Sequence, residues 1–191
     1  MTTPTLTVVS GPPGTGKTTL AHVLAQELGC PAVIRDEIKQ GMVLSTPGYQ
    51  GGGEDPLNYP TLDAFFEVTR VLLRAGVTIV VEAAFQDKLW RPHLEPLMDL
   101  AQLRVIRCAT SAAVAHDRIA HRVKHSGHRA AHADHDLLEA IASGEHSHES
   151  FVPVSLDVPT LVVDTSDGYH PGIADIVSFA REPAMTQHRR E

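Results

Sequence analysis

Residues 11–18 read Gly-Pro-Pro-Gly-Thr-Gly-Lys-Thr and follow directly on the apolar run Leu6-Thr7-Val8-Val9. This is an uninterrupted G-x-x-x-x-G-K-T pattern, and phosphate chemistry requires those residue types at that spacing. Glycines let the backbone curl around an anion, while the N–H groups of the loop and of the following helix point at it. Lys17 then reaches the β- and γ-phosphates of a nucleoside triphosphate, and Thr18 offers its hydroxyl to Mg²⁺. The expected nucleotide contacts are Gly11, Pro12, Pro13, Gly14, Thr15, Gly16, Lys17, Thr18 and Thr19, with ATP and Mg²⁺ as the bound species. With glycine near ~7% in average usage, a chance match in a chain of this length has a probability on the order of one per cent. Helical spacing from Thr18 to Leu28 and a stop at Gly29 complete the strand–loop–helix context.

Short apolar runs and amphipathic stretches alternate through the rest of the chain. Strands are expected at Pro31–Ile34, Val77–Val81, Leu103–Cys108 and Thr160–Asp164, in addition to Leu6–Val9. Helices are expected from Ile38 to Val43, Thr61 to Ala75, Lys88 to Leu100 with a break near Pro92 and Pro96, Ser111 to Lys124, Asp136 to Ser143, and Pro171 to Phe179. Ser45 to Pro60 carries Gly51-Gly52-Gly53 and several prolines, which predicts a long loop of the kind that covers a substrate. Strands alternating with helices imply an α/β fold with a five-stranded parallel sheet and right-handed crossovers.

The composition narrows the function. A chain of 191 residues is one domain by the usual prior, expected over residues 1–181 with a frayed tail at 182–191. A net charge of -7 is not the basic footprint of a nucleic-acid partner and favours a small substrate. Two cysteines, Cys30 and Cys108, suggest neither a disulfide framework nor a zinc ribbon, and read as reduced thiols in a cytoplasmic protein. No apolar stretch approaches the ~20 residues that span a bilayer, and the N-terminus lacks the pattern of a secretory signal.

In open α/β sheets, ligands gather at the carboxyl ends of the strands, where Asp36, Glu82 and Asp164 stand. Asp36 is either a general base that accepts the proton of an attacking hydroxyl or the N-cap of the helix beyond it. Glu82 sits where such proteins keep a carboxylate near magnesium, or else it pairs with an arginine. Being a glutamate, it suits support of the Thr18-bound metal better than direct ligation. Asp164 joins the expected nucleotide contacts. Arg118 and Arg122 are four apart on one helix face, and Arg129 lies just past Gly127. They read as a lid, about residues 116–135, that clamps the transferring phosphoryl group, or as a solvated basic face. Histidine occurs twelve times, and His121, His125, His128, His132 and His135 recur at helical intervals. No cysteine or H-E-x-x-H spacing completes a metal site, so a polar lid is the expectation.

Together these motifs resemble the small P-loop kinases grouped with the AAA-type ATPases, which include chloramphenicol phosphotransferase, the zeta toxins and the kinase domain of polynucleotide kinase. The resemblance runs from Leu6 to about Phe179. It is carried by the phosphate loop, Arg35-Asp36-Glu37-Ile38-Lys39, Val80-Val81-Glu82-Ala83, Arg118 to Arg129, and Val163-Asp164-Thr165. It implies a three-layer P-loop fold like that of the nucleoside monophosphate kinases, with a helical lid. It also implies that Asp36 is the base and that the lid arginines hold phosphates. The expected activity is transfer of the γ-phosphate of ATP to a hydroxyl of a small molecule. The alternatives are a nucleotide-gated binding protein, a 5′-hydroxyl nucleic acid kinase and a sugar-nucleotide kinase.

Overall fold

The computed structural model describes residues 3–49, 55–125, 138 and 151–182. Five strands, β1 (Thr5–Ser10), β2 (Ala32–Ile34), β3 (Ile79–Glu82), β4 (Gln102–Ala109) and β5 (Thr160–Asp164), form one sheet in the order β2-β3-β1-β4-β5. Every pairing is parallel, so each connection must cross back over the sheet. The helices are α1 (Lys17–Leu28), α2 (Arg35–Leu44), α3 (Asn58–Arg74), α4 (Asp87–Leu94), α5 (Ala112–His125) and α6 (Ile173–Arg181). A 3-10 turn over Glu95–Asp99 follows α4.

Alternation along the strands makes two cores. Leu6 and Val8 of β1 with Ile79 and Val81 of β3 point to one face, where α3 and α4 bring Phe65, Phe66 and Trp90. Phe85 and Trp90 meet there with ring centroids 4.6 Å apart, and Phe65 and Phe66 meet edge-on at 5.2 Å. Val9, Val80 and Ile106 point to the other face, covered by Leu20 and Leu24 of α1 and Ile176 of α6. Central β1 is therefore buried on both sides, and its register sets Val9 beside Glu82 and beside Ile106. Strands β3 and β4 flank β1 on opposite sides, the arrangement that opens a ligand crevice at the carboxyl end of the central strand. The phosphate loop leaves from that point.

Several element boundaries differ from those expected from the sequence. Helix α2 starts at Arg35, with Ile34 at its cap position and no side-chain cap, so Asp36 lies in the first turn and is not an N-cap. Helix α3 starts at Asn58, inside the expected loop. Pro60 does not prevent this, because its missing N–H falls in the first turn, where that group has no helical partner anyway. Strand β3 starts at Ile79 rather than Val77, since the Val77 N–H is used by the Leu72 carbonyl at the end of α3. Helix α6 starts at Ile173, beyond Pro171. Of the two expected breaks, the one near Pro96 is present, where α4 gives way to the 3-10 turn, whereas α4 runs on through Pro92. The expected helix at 136–143 lies outside the described residues except for helical Leu138, and the expected tail lies outside them except for Glu182.

Candidate active site

The phosphate loop is shaped by packing as well as by sequence. Gly11 and Gly14 adopt φ of 151° and 80°. A Cβ on Gly11 would stand 2.5 Å from the Cys108 carbonyl oxygen, and one on Gly14 would stand 2.6 Å from that of Ala115. Only glycine fits at either position. Thr15 Oγ1 and Lys17 Nζ both donate to the Pro12 carbonyl, at 2.8 and 3.1 Å, which closes the curl. Gly16 precedes α1 without a side-chain cap, so the first N–H groups of that helix are available to an anion. Cys108, behind Gly11, has its thiol pushed up to about 12, chiefly by burial, and forms an unreactive wall.

Glu82 closes β3 next to this loop and is 3% exposed. One carboxylate oxygen accepts the Thr18 hydroxyl at 2.9 Å, and the other lies 4.0 Å from Lys17 Nζ. The first helical turn of α1 and the end of β3 thus bring an ammonium, a hydroxyl and a carboxylate together where a triphosphate would sit. The hydroxyl and carboxylate oxygens of Thr18 and Glu82 fit Mg²⁺, a hard cation that prefers oxygen ligands.

Asp36 stands on the neighbouring strand end. Ile34, the last residue of β2, is in register with Glu82, so the first turn of α2 rises from the same carboxyl edge. Arg35 Nη1 donates to Asp36 Oδ1 at 3.0 Å, and the Asp36 side chain keeps 39% of its surface exposed. That combination gives a carboxylate with a fixed partner that a docked hydroxyl can still reach.

On the other side of the loop, Arg118 joins two backbone segments. Its guanidinium donates to the carbonyls of Gly14 at 3.4 Å, Thr165 at 2.6 Å and Ser166 at 3.2 Å. The buried Thr165 hydroxyl donates to the Thr15 carbonyl at 2.8 Å, a second tie between the β5 end and the phosphate loop. With Arg122, Thr19, Gly168 and Tyr169, these groups line an open cleft of about 560 Å³ beside Gly14 and Gly16. That is within the usual range for a small-ligand pocket. Asp164 stands outside the cleft: its carboxylate accepts the Ser166 N–H at 2.8 Å, and hydrogen bonds from Ser166 hold its carboxyl below the usual range. Arg129 and three of the five spaced histidines, His128, His132 and His135, lie outside the described residues. Among the described residues no cluster of three or more His, Cys, Asp or Glu side chains could hold a metal ion.

Five of the site's residues carried no assigned role in the sequence. Thr165 is the first, because a threonine one residue past a strand end gives no signal of its own. The others are Arg35, Lys39, Asp55 and Asn58, which with Tyr49 form a polar cluster beside Asp36. A lysine four residues from Arg35, on the face of α2 that packs against α3, was the available sign.

The AAA domain family matches residues 6–145, most of the chain and the part that carries the phosphate loop, Asp36, Glu82 and Arg118. The chain belongs to that family. Its fold is also that of P-loop kinases. A structure of a candidate kinase from Chloroflexus aurantiacus J-10-fl is similar over 94% of this chain and 98% of its own, at 27% identity and a TM-score of 0.75. A sugar kinase from Janibacter sp. HTCC2649 is similar over 92% and 94%, at 20% identity and a TM-score of 0.61. The Mycobacterium tuberculosis APS kinase, solved with AMPPNP and APS, is similar over 95% and 100%, at 15% identity and a TM-score of 0.62. None of the curated proteins matches this family member. Among the described residues no helix is long and apolar enough to cross a membrane.

Proposed function

We propose that the protein is an ATP-dependent kinase that phosphorylates a hydroxyl of a small-molecule acceptor. The observation that carries this reading is the pairing of two carboxylates with different surroundings at adjacent strand ends. Glu82 is buried against Lys17 and Thr18, whereas Asp36 is accessible and held by Arg35. The first belongs to the triphosphate side, the second to the acceptor side.

Lys17 and the loop N–H groups hold the β- and γ-phosphates, with the nucleoside in the cleft beside Arg118 and Tyr169. Thr18 would hold Mg²⁺ with Glu82 in support, and the bound ion would offset charge on the phosphate oxygens. The acceptor enters between α2, Tyr49 and Glu82. Its hydroxyl oxygen forms a bond to the γ-phosphorus as the bond to the β,γ-bridging oxygen breaks, ADP leaves, and the hydroxyl proton passes to Asp36. A positioned base of this kind contributes ~10²–10⁴-fold. Arg122 and Arg129 are the proposed lid cations for the transferring group. Arg118, already bound to three backbone carbonyls, serves better as the frame of the nucleotide cleft.

The similar sugar kinase puts sugars and polyols first among acceptors to try, with nucleosides and antibiotics after them. ATP consumption by the purified protein is measured with Mg²⁺ against that panel, beside Lys17→Ala. Acceptor-stimulated turnover that disappears in Lys17→Ala is the expected outcome. Slow hydrolysis that no acceptor stimulates would contradict the reading and favour a nucleotide-gated binding protein.

A further inference from the structure

A chain of polar contacts joins α2 to α3 on the acceptor side, apart from the groups that hold the phosphates. Lys39 is 5% exposed; its ammonium pairs with Asp55 and donates to Asn58 Oδ1 at 3.1 Å. Asp55 also accepts the Leu57 N–H at 2.9 Å and the Tyr49 hydroxyl at 2.9 Å, so its carboxylate is fixed from three directions. The same Asn58 oxygen accepts Arg35 Nη2 at 3.2 Å, and Arg35 Nη1 reaches Asp36 at 3.0 Å. Two cations therefore converge on one neutral oxygen, filling both of its lone-pair directions. Arg35 Nε is buried and has no hydrogen-bond partner among the described residues. The aim of its guanidinium thus depends on the two terminal nitrogens, one on Asn58 and one on Asp36.

We infer that Asn58 is a positioning residue for phosphoryl transfer, fixing the Asp36 carboxylate through Arg35 on a foundation supplied by the buried Lys39–Asp55 pair. The inference rests on the base role proposed for Asp36. An apolar side chain at 58 would leave Lys39 with Asp55 but would remove the anchor of Arg35. An acidic one would draw the guanidinium away from Asp36, since ion-paired hydrogen bonds are the stronger kind. A neutral amide is the side chain that holds both cations without competing for either.

A double-mutant cycle on the full chain tests this, using the best acceptor from the panel and a non-hydrolysable ATP analogue for binding. Asn58→Leu is expected to bind the analogue as the parent does and to lose roughly ten- to hundredfold in kcat, the scale of a misplaced reacting group. In an Asp36→Asn background the same change is expected to add no further loss, because a residue that acts through Asp36 has nothing left to position. Should Asn58→Leu fail to bind the analogue or to melt cooperatively, Arg35→Gln takes its place in the cycle with the same expected pattern. Losses that multiply in the double variant, or a kcat within twofold of the parent for the single one, would overturn the inference. Full turnover by Asp36→Asn would remove the base reading and this inference together. Loss of turnover in Asp36→Asn with none in Asn58→Leu would remove the inference alone.

Discussion

Lys39 and Asp55 show how a single buried ion pair shapes this site. Burial pushes the Asp55 carboxyl up, but the hydrogen bonds from Lys39, the Leu57 N–H and the Tyr49 hydroxyl outweigh it, and the group ends below the ordinary value. A carboxyl whose folded value is lowered stabilises the folded chain most where it is ionised in both states, above about pH 4. That contribution is lost as pH falls through the lowered value. Melting curves between pH 3 and pH 6 should therefore show an acid loss of stability that is smaller in Asp55→Asn than in the parent; equal slopes would contradict the assignment. Removing the cation instead is costlier. Lys39→Met leaves a nearly buried carboxylate without its partner, a change of about 3–5 kcal/mol in comparable buried pairs. At the same scale, Lys17 leans on the Pro12 carbonyl and on Glu82, contacts that a triphosphate would replace with stronger ones. Lys17→Ala should accordingly abolish turnover.

At the scale of elements, the phosphate loop and α2 predict opposite responses to the same kind of substitution. Gly14→Ala forces a Cβ to within 2.6 Å of the Ala115 carbonyl at a φ of 80°, so the loop or α5 must move. A loss of about 1–3 kcal/mol in stability is expected, with weakened nucleotide binding. Gly41, exposed within α2, faces open space: a Cβ there would meet nothing within 4 Å, and Gly41→Ala should stabilise by ~1 kcal/mol through helix propensity alone. Chemical denaturation of the two variants checks both signs. Loop and helix also differ in how legible they were. The phosphate loop could be read in full because its function constrains contiguous backbone. The start of α3 could not, because it is set by the Asp55 carboxylate accepting the Leu57 N–H, a local bond that outweighs the prolines and glycines around it. The strand ends were legible as apolar runs stopped by acidic residues, which is why Asp36 and Glu82 were found and Thr165 was given no role.

On the scale of the whole molecule, the sheet order places the phosphate loop, Glu82, Asp36 and Thr165 at one edge. Strand β1 carries the phosphate loop, β3 delivers Glu82, β2 leads into Asp36, and β5 leads into Thr165, which ties back to the loop. The far end of the sheet is closed differently: buried Arg104 of β4 donates to the Glu182 carbonyl at 2.6 Å and lies 5.3 Å over the Phe179 ring, fastening α6. A parallel five-stranded sheet was legible from the alternation of strands and helices. Its order was not, since nothing in the chain before β3 signals that β3 will insert between β1 and β2. The acceptor side was the least legible for a related reason: it is assembled from α2, α3 and the segment between them, and side chains from three places meet without a shared spacing.

In the proposed reaction two carboxylates at adjacent strand ends divide the work, Glu82 on the nucleotide and Asp36 on the acceptor. Transfer of the γ-phosphate from ATP to the best acceptor, followed by product mass in the parent and in Asp36→Asn beside ATP titrations of both, tests that division most directly. The predicted result is ATP affinity within about twofold and a transfer rate lower by ~10²–10⁴-fold in the variant. An unchanged transfer rate, or a loss explained by lost ATP binding, would contradict it.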